Sequence, residues 1–200
     1  ADDGNLWVTT YWKGIEYFDK GTGHFSHYNT ATVPGLASDN IWTVADGGNG
    51  KLYIGHVHHG FSILSIKDKK VRNFVHDPNN RNSLPGNEVR CVYKDMNHNI
   101  WVGTNKGLAL FNPESENFIQ FNSDGNLSHY IYDIRQLDGN KLWIAMEFGG
   151  IAIMDLSQRL FLLPEQTQFH YIREGDDGYS LSNSSARCIF QDSFKNIWTG

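Results

Sequence analysis

The chain has only 2 cysteines in 200 residues, too few for a disulfide framework. No apolar run approaches the roughly 18 residues that a membrane-spanning helix needs, so no segment reads as one. Basic residues are not in excess. Lys and Arg number 17 against 22 Asp and Glu, a net charge of −5, so no patch of the kind that neutralises phosphates is expected and nucleic acid is not an expected partner. No helical period of 3.6 residues persists over two turns. Nucleophile motifs of the Ser-His-Asp kind and glycine-rich phosphate loops are missing too. Glycine and aromatics are what the chain has in quantity: 20 Gly, 6 Trp, 9 Tyr and 12 Phe. That content excludes a disordered or low-complexity chain and points to many short strands joined by turns.

A repeat organises those residues. An aromatic recurs at Trp7, Tyr53, Trp101, Trp143 and Trp198, at spacings of 46, 48, 42 and 55, each preceded by Leu or Ile. A glycine follows six or seven residues later and opens a second apolar segment: Gly14–Phe18, Gly60–Leu64, Gly107–Phe111 and Gly150–Met154. Another apolar residue stands seven beyond each of these, at Phe25, Val71, Phe118 and Phe161. Apolar pairs lie twelve and nine before each aromatic after the first: Ile41 and Val44, Val89 and Val92, Ile131 and Ile134, Ala186 and Ile189. A leucine comes earlier still, at Leu36, Leu84, Leu127 and Leu181.

Each repeat therefore reads as four short strands, a to d, with the aromatic on b and turn chemistry such as Asp95–Asn99 between a and b. Four-stranded units of about 40 to 50 residues imply an all-β chain folded as a β-propeller. Repeats are expected near residues 1–35, 36–83, 84–126, 127–180 and 181–200, with about four blades in view. The register opens on strand b and stops inside a later strand b, the pattern of a piece cut from a larger propeller. A blade cannot bury its faces alone, so the aromatic on b is the natural filler between blades.

Asn99-Ile-Trp-Val-Gly-Thr-Asn-Lys-Gly-Leu108, with Val89, Val92 and Asp95 ahead of it, resembles the two-component regulator propeller repeat. Residues 3–8 and 192–200 resemble it less completely, as does the Ser83–Asn87 lead-in. Departures are Tyr53 in place of tryptophan and Ala145-Met-Glu-Phe148 where Gly-Thr is usual. The resemblance covers essentially the whole chain. It implies a seven-bladed propeller in the periplasmic sensor region of a membrane-anchored hybrid histidine kinase. Such regions detect polysaccharide fragments and switch on carbohydrate-utilisation genes. It further implies an oligosaccharide ligand, a homodimer, and no catalysis or cofactor in this part of the chain.

In a propeller, b–c hairpins and d–a connections share one face, where ligands usually bind. The b–c loops are expected at Thr9–Lys13, His56–His59, Thr104–Lys106 and Met146–Gly149. Eleven residues before each b aromatic stand Trp42, Arg90, Tyr132 and Arg187. Aromatic rings stack on sugar faces and guanidinium forks grip carboxylate or sulfate, so this set suits an oligosaccharide, an acidic one if the arginines face it. The competing reading packs these side chains between blades.

Trp12 on a b–c loop is a further binding candidate, or else an interface with a neighbouring domain. The loops add Lys13, His56, His58, His59, Asn105, Lys106, Glu147 and Phe148. The His cluster lacks a neighbouring acid or cysteine, and Asp95-x-Asn97-x-Asn99 lacks the glycine and glutamate of a calcium loop, so no metal is expected. The longest connection, between Phe161 and Leu181, either projects Gln166–Tyr179, with His170, onto the same face, or extends an outer strand or crosses to a next domain; both readings stand. Cys91 and Cys188 share a repeat position, too far apart to bridge, and are expected as buried thiols. Two other readings stand beside the sensor: a sialidase-like glycoside hydrolase and a structural protein-interaction propeller. The Asp-to-Trp spacing of six does not match the hydrolase's aspartate box, and no cluster of three arginines can be assembled.

Overall fold

The computed structural model describes residues 4–48, 50–121, 127, 129–137, 139–157 and 163–200. Among them every regular element is a strand except one 3-10 turn at Pro164–Gln166. The first sheet holds β1 (Leu6–Thr10), β2 (Gly14–Asp19) and β3 (His24–Tyr28). The second holds β4 (Ile41–Gly48), β5 (Lys51–His56), β6 (Phe61–Ser65) and β7 (Val71–Phe74). The third holds β8 (Val89–Lys94), β9 (Ile100–Thr104), β10 (Gly107–Asn112) and β11 (Asn117–Gln120). The fourth holds β12 (Ile131–Leu137), β13 (Lys141–Met146), β14 (Gly150–Asp155) and β15 (Phe169–Ile172). The fifth pairs β16 (Ile189–Gln191) with β17 (Ile197–Thr199).

All neighbouring strands are antiparallel and consecutive, so each sheet is a meander in the order a-b-c-d. The a strands β4, β8, β12 and β16 lie successively beside one another. This is the blade arrangement of a β-propeller, and the expected all-β class and a-b-c-d strand order are observed.

The period of two explains how one strand serves two cores. On β9, Trp101 packs toward the fourth sheet with Ile131, Ile134 and Leu142, while Ile100 and Val102 pack toward the second with Tyr53 and Phe61. The aromatic on b takes part in all four inter-sheet cores: Trp7, Tyr53, Trp101 and Trp143 in turn. At about 25 cal/mol per Å² and 150–250 Å² per ring, each fully buried one contributes on the order of several kcal/mol as an upper bound.

Two glycine positions are forced by geometry. Gly60 opens strand c at φ +72°, where an added Cβ would lie 2.2 Å from the Phe74 carbonyl oxygen of strand d, and Gly150 repeats this against Ile172. Gly103 lies so close to the next sheet that a Cβ would come within 2.6 Å of Ile131 Cγ2.

The structure corrects three expectations. Strand d of the fourth sheet was expected at Phe161, which falls outside the described residues. It is β15, whose register sets Met154 opposite Phe169 and Ile151 opposite Ile172. The extra length therefore lies partly between c and d, on the opposite face, and Phe169–Ile172 is an outer strand, which favours the outer-strand alternative over a projecting loop. Second, only Cys91 is buried. Cys188 is exposed, because β16 has a sheet packed on one side alone. Third, the b strands run further than expected, so Thr9, His56, Thr104 and Met146 belong to strands and not to hairpin loops.

Candidate functional site

The start of each a strand is bulged. Ile41 and Thr43 face His56 and Gly55, Val89 and Cys91 face Thr104 and Gly103, and Ile131 and Asp133 face Met146 and Ala145. One residue is left over each time: Trp42, Arg90 and Tyr132. In the fifth sheet the N–H groups of Arg187 and Cys188 both donate to the Gly200 carbonyl, at 2.6 and 3.0 Å. A bulge re-aims the extra side chain. The four residues chosen by spacing are the four that the backbone sets apart.

Their side chains form a continuous file across four sheets. The Arg90 guanidinium lies 4.7 Å from the Trp42 ring, 4.8 Å from Tyr130 and 5.2 Å from Tyr132. Arg187 stands 5.2 Å from the same Tyr132 ring. Tyr11 extends the file past Trp42 at 5.8 Å, and Trp12 meets Tyr11 edge-on at 5.0 Å. Cation–π contacts of this kind are worth about 0.5–2 kcal/mol, more as water is excluded.

The loops are clamped beside the file by a repeated backbone bond. Val57, Asn105 and Glu147 each donate an N–H at 3.0 Å to the residue two before the file member, namely Asn40, Glu88 and Tyr130. Two carboxylates stand beside the file, one against a cation and one against a phenol. Glu88 lies 3.5 Å from Arg90 and Asn105 and 3.8 Å from His58, and Glu147 accepts from the Tyr132 hydroxyl at 2.9 Å. Partial burial and that Glu147 bond raise the Tyr132 phenol above its usual value.

Exposed rings flank the file. Trp12 is 62% exposed at φ +77° and Phe148 69% exposed at φ +58°. Both sit at the tips of b–c hairpins in a left-handed conformation unusual for bulky residues. Lys13, next to Trp12 in the chain, and Lys106, on the third sheet's hairpin, are exposed too.

Two candidates stand apart. His170 is on outer strand β15 opposite Ile153, away from the file. His56 is fully buried, with Nε2 2.8 Å from the Ser62 hydroxyl, which donates to Asn73 at 2.6 Å. Burial foremost, with the charge of His59 adding to it, pushes its pKa down to about 4, so the ring is a neutral structural link between strands b, c and d. His58 and His59 remain on the surface. Sequence reasoning missed Tyr11, Tyr130 and Glu88. Their signal was adjacency: each lies within two residues of a chosen position.

Aspartates offered by the sequence are committed to the opposite end of the sheets. Asp95 accepts from the N–H groups of Asn97 and Asn99, from the Asn99 amide and from the Trp101 indole at 2.8–2.9 Å. The spacing of six is thus the reach of a turn carboxylate to its own strand's indole.

Residues 83–106, which carry the clamp, Arg90 and this turn, match the family described as Two component regulator propeller. The chain is 57% identical to the extracellular domain of a hybrid two-component system from B. thetaiotaomicron, with a TM-score of 0.83 over 98% of this chain and 24% of that one. The extracellular domain of a one-component system from B. thetaiotaomicron is 20% identical, with a TM-score of 0.74 over 98% of this chain and 24% of the other, and shows the fold. Histidine kinase P4 of Formosa agariphila is 30% identical over 86 residues, 39% of this chain and 6% of the kinase. The chain thus spans a small part of each relative. Its 57% identity to the extracellular domain of a hybrid two-component system supports an extracytoplasmic sensor region.

Proposed function

We propose that the chain forms part of the periplasmic sensor of a membrane-anchored hybrid histidine kinase and binds an oligosaccharide on the face that carries the Trp42–Arg90–Tyr132–Arg187 file. The observation that carries this reading is the file itself: four bulged residues at one repeat position, in register across four sheets, with exposed rings at the hairpin tips. Rings stack on the apolar faces of sugars while Glu88, Glu147, Asn105 and the surface histidines supply hydroxyl partners. Binding across several blades would favour one arrangement of the propeller, pass as a rigid-body shift through a homodimer and control carbohydrate-utilisation genes.

Isothermal calorimetry of the intact protein against a panel of glycan fragments tests the proposal; silence across every class would sink it. Trp42→Ala is expected to weaken binding about tenfold or more, the loss typical of a central aromatic contact, with little change in melting temperature. Arg90→Ala behaves differently. Its side chain is 23% exposed and wedged among three rings, so both affinity and stability fall.

A further inference from the structure

The two arginines of the file occupy one repeat position and have different surroundings. Arg90 is enclosed by Trp42, Tyr130 and Tyr132 and faces Glu88 at 3.5 Å, so its charge is compensated and its fork is covered. Arg187 is exposed, stands over the other contact of the Tyr132 ring, and takes part in none of the ion pairs among the described residues. Two acids on the fourth sheet are engaged elsewhere: Glu147 accepts from the Tyr132 hydroxyl and Asp133 from the Ile189 N–H at 3.0 Å. Phe148 projects beside Glu147, its N–H bonded to the Ser185 hydroxyl at 3.2 Å, two residues from Arg187. The far end is different in kind: Tyr11, Trp12 and Trp42 present rings, with Lys13 at the hairpin tip as an exposed point charge.

We infer that the site is polar end to end and fixes the direction of its ligand: an anionic sugar, bearing a carboxylate or a sulfate, is gripped by Arg187, while neutral residues of the same chain stack on Trp42 and Trp12. A guanidinium with free N–H groups over a ring takes a planar carboxylate or a sulfate edge in two parallel hydrogen bonds, geometry that an ammonium cannot copy. Arg90 is a positioning residue, the bracket that holds Trp42 and Tyr132 in line. This inference rests on the oligosaccharide reading above and adds charge and orientation to it.

The test is titration calorimetry of the intact protein with matched pairs: tetragalacturonate against its methyl ester, and a sulfated against an unsulfated galacto-oligosaccharide, at low and high salt. The acid member of one pair is expected to bind at least tenfold more tightly than its neutral partner at low salt. Which pair shows the preference tells carboxylate from sulfate. Arg187→Gln should shrink that preference below twofold with the melting temperature unchanged, whereas Trp12→Ala should weaken both members equally. Lys13→Gln should leave the preference intact. A preference that survives Arg187→Gln, or vanishes with Lys13→Gln, overturns the assignment. Equal binding of acid and neutral members overturns the anionic grip and leaves the oligosaccharide reading standing; no binding by any member overturns both.

Discussion

Residues 89–103 and 186–200 are nearly the same segment in two surroundings. Arg90 and Arg187, Cys91 and Cys188, Asp95 and Asp192, Asn99 and Asn196, Trp101 and Trp198, and Gly103 and Gly200 correspond one to one. The turn is built identically. Asp192 accepts from Phe194, Asn196 and the Trp198 indole at 2.9–3.0 Å, as Asp95 does from its own partners. Yet Trp101 is fully buried and Trp198 is 60% exposed. The carboxylate, the turn and the indole therefore assemble from local chemistry alone, and burial is supplied by the next sheet. The Trp198 indole, followed by Asn196, holds the Asp192 carboxyl below the ordinary aspartate value even in solvent. Local structure comes first here, and packing uses what it finds.

Paired substitutions sharpen or break that contrast. The largest gap is expected for the tryptophans. Trp101→Ala should cost about 3–5 kcal/mol in urea denaturation, the range for a large buried ring, and Trp198→Ala only a small fraction of it; comparable losses would show that the indole works through its turn and not through the core. Next come the glycines. Gly103→Ala drives a methyl against Ile131 and should cost about 1–3 kcal/mol, while Gly200→Ala, whose nearest neighbour is Cys188 Sγ at 3.6 Å, should leave the melting temperature unchanged.

The smallest effect belongs to the cysteines. Burial foremost, reinforced by the Asp133 charge, pushes the Cys91 thiol up to about 12. A raised folded value means that stability is fully present below the unfolded thiol's value near 9.0 and declines as pH rises from there toward 12. A thiol reagent at neutral pH should label Cys188 at once and Cys91 only on unfolding; equal rates would contradict the burial difference.

Much of this was legible in the sequence, because a repeat states each position several times. Tyr53, Trp101 and Trp143 fixed strand b, and Gly60 and Gly150 fixed the opening of strand c. Legibility failed where the pattern was stated once. Phe161 matched the spacing of strand d, but β15 lies eight residues further on, chosen by pairing with β14 and not by distance along the chain. The file of rings and arginines was legible as a list of positions but not as a stack. Whether Arg90 faces solvent or lies among rings depends on side chains from three sheets, which no single repeat encodes. Nor does a cysteine's repeat position reveal that Cys188 lacks the cover Cys91 has.

The bulge at the start of strand a has a consequence for change over time. Its extra residue takes no partner in the strand register, and the glycines and apolar residues around it carry the fold. Trp42, Tyr132 and Arg187 are thus the positions where a chain of this architecture can be rewritten, while Arg90, wedged among three rings, is tied to the frame.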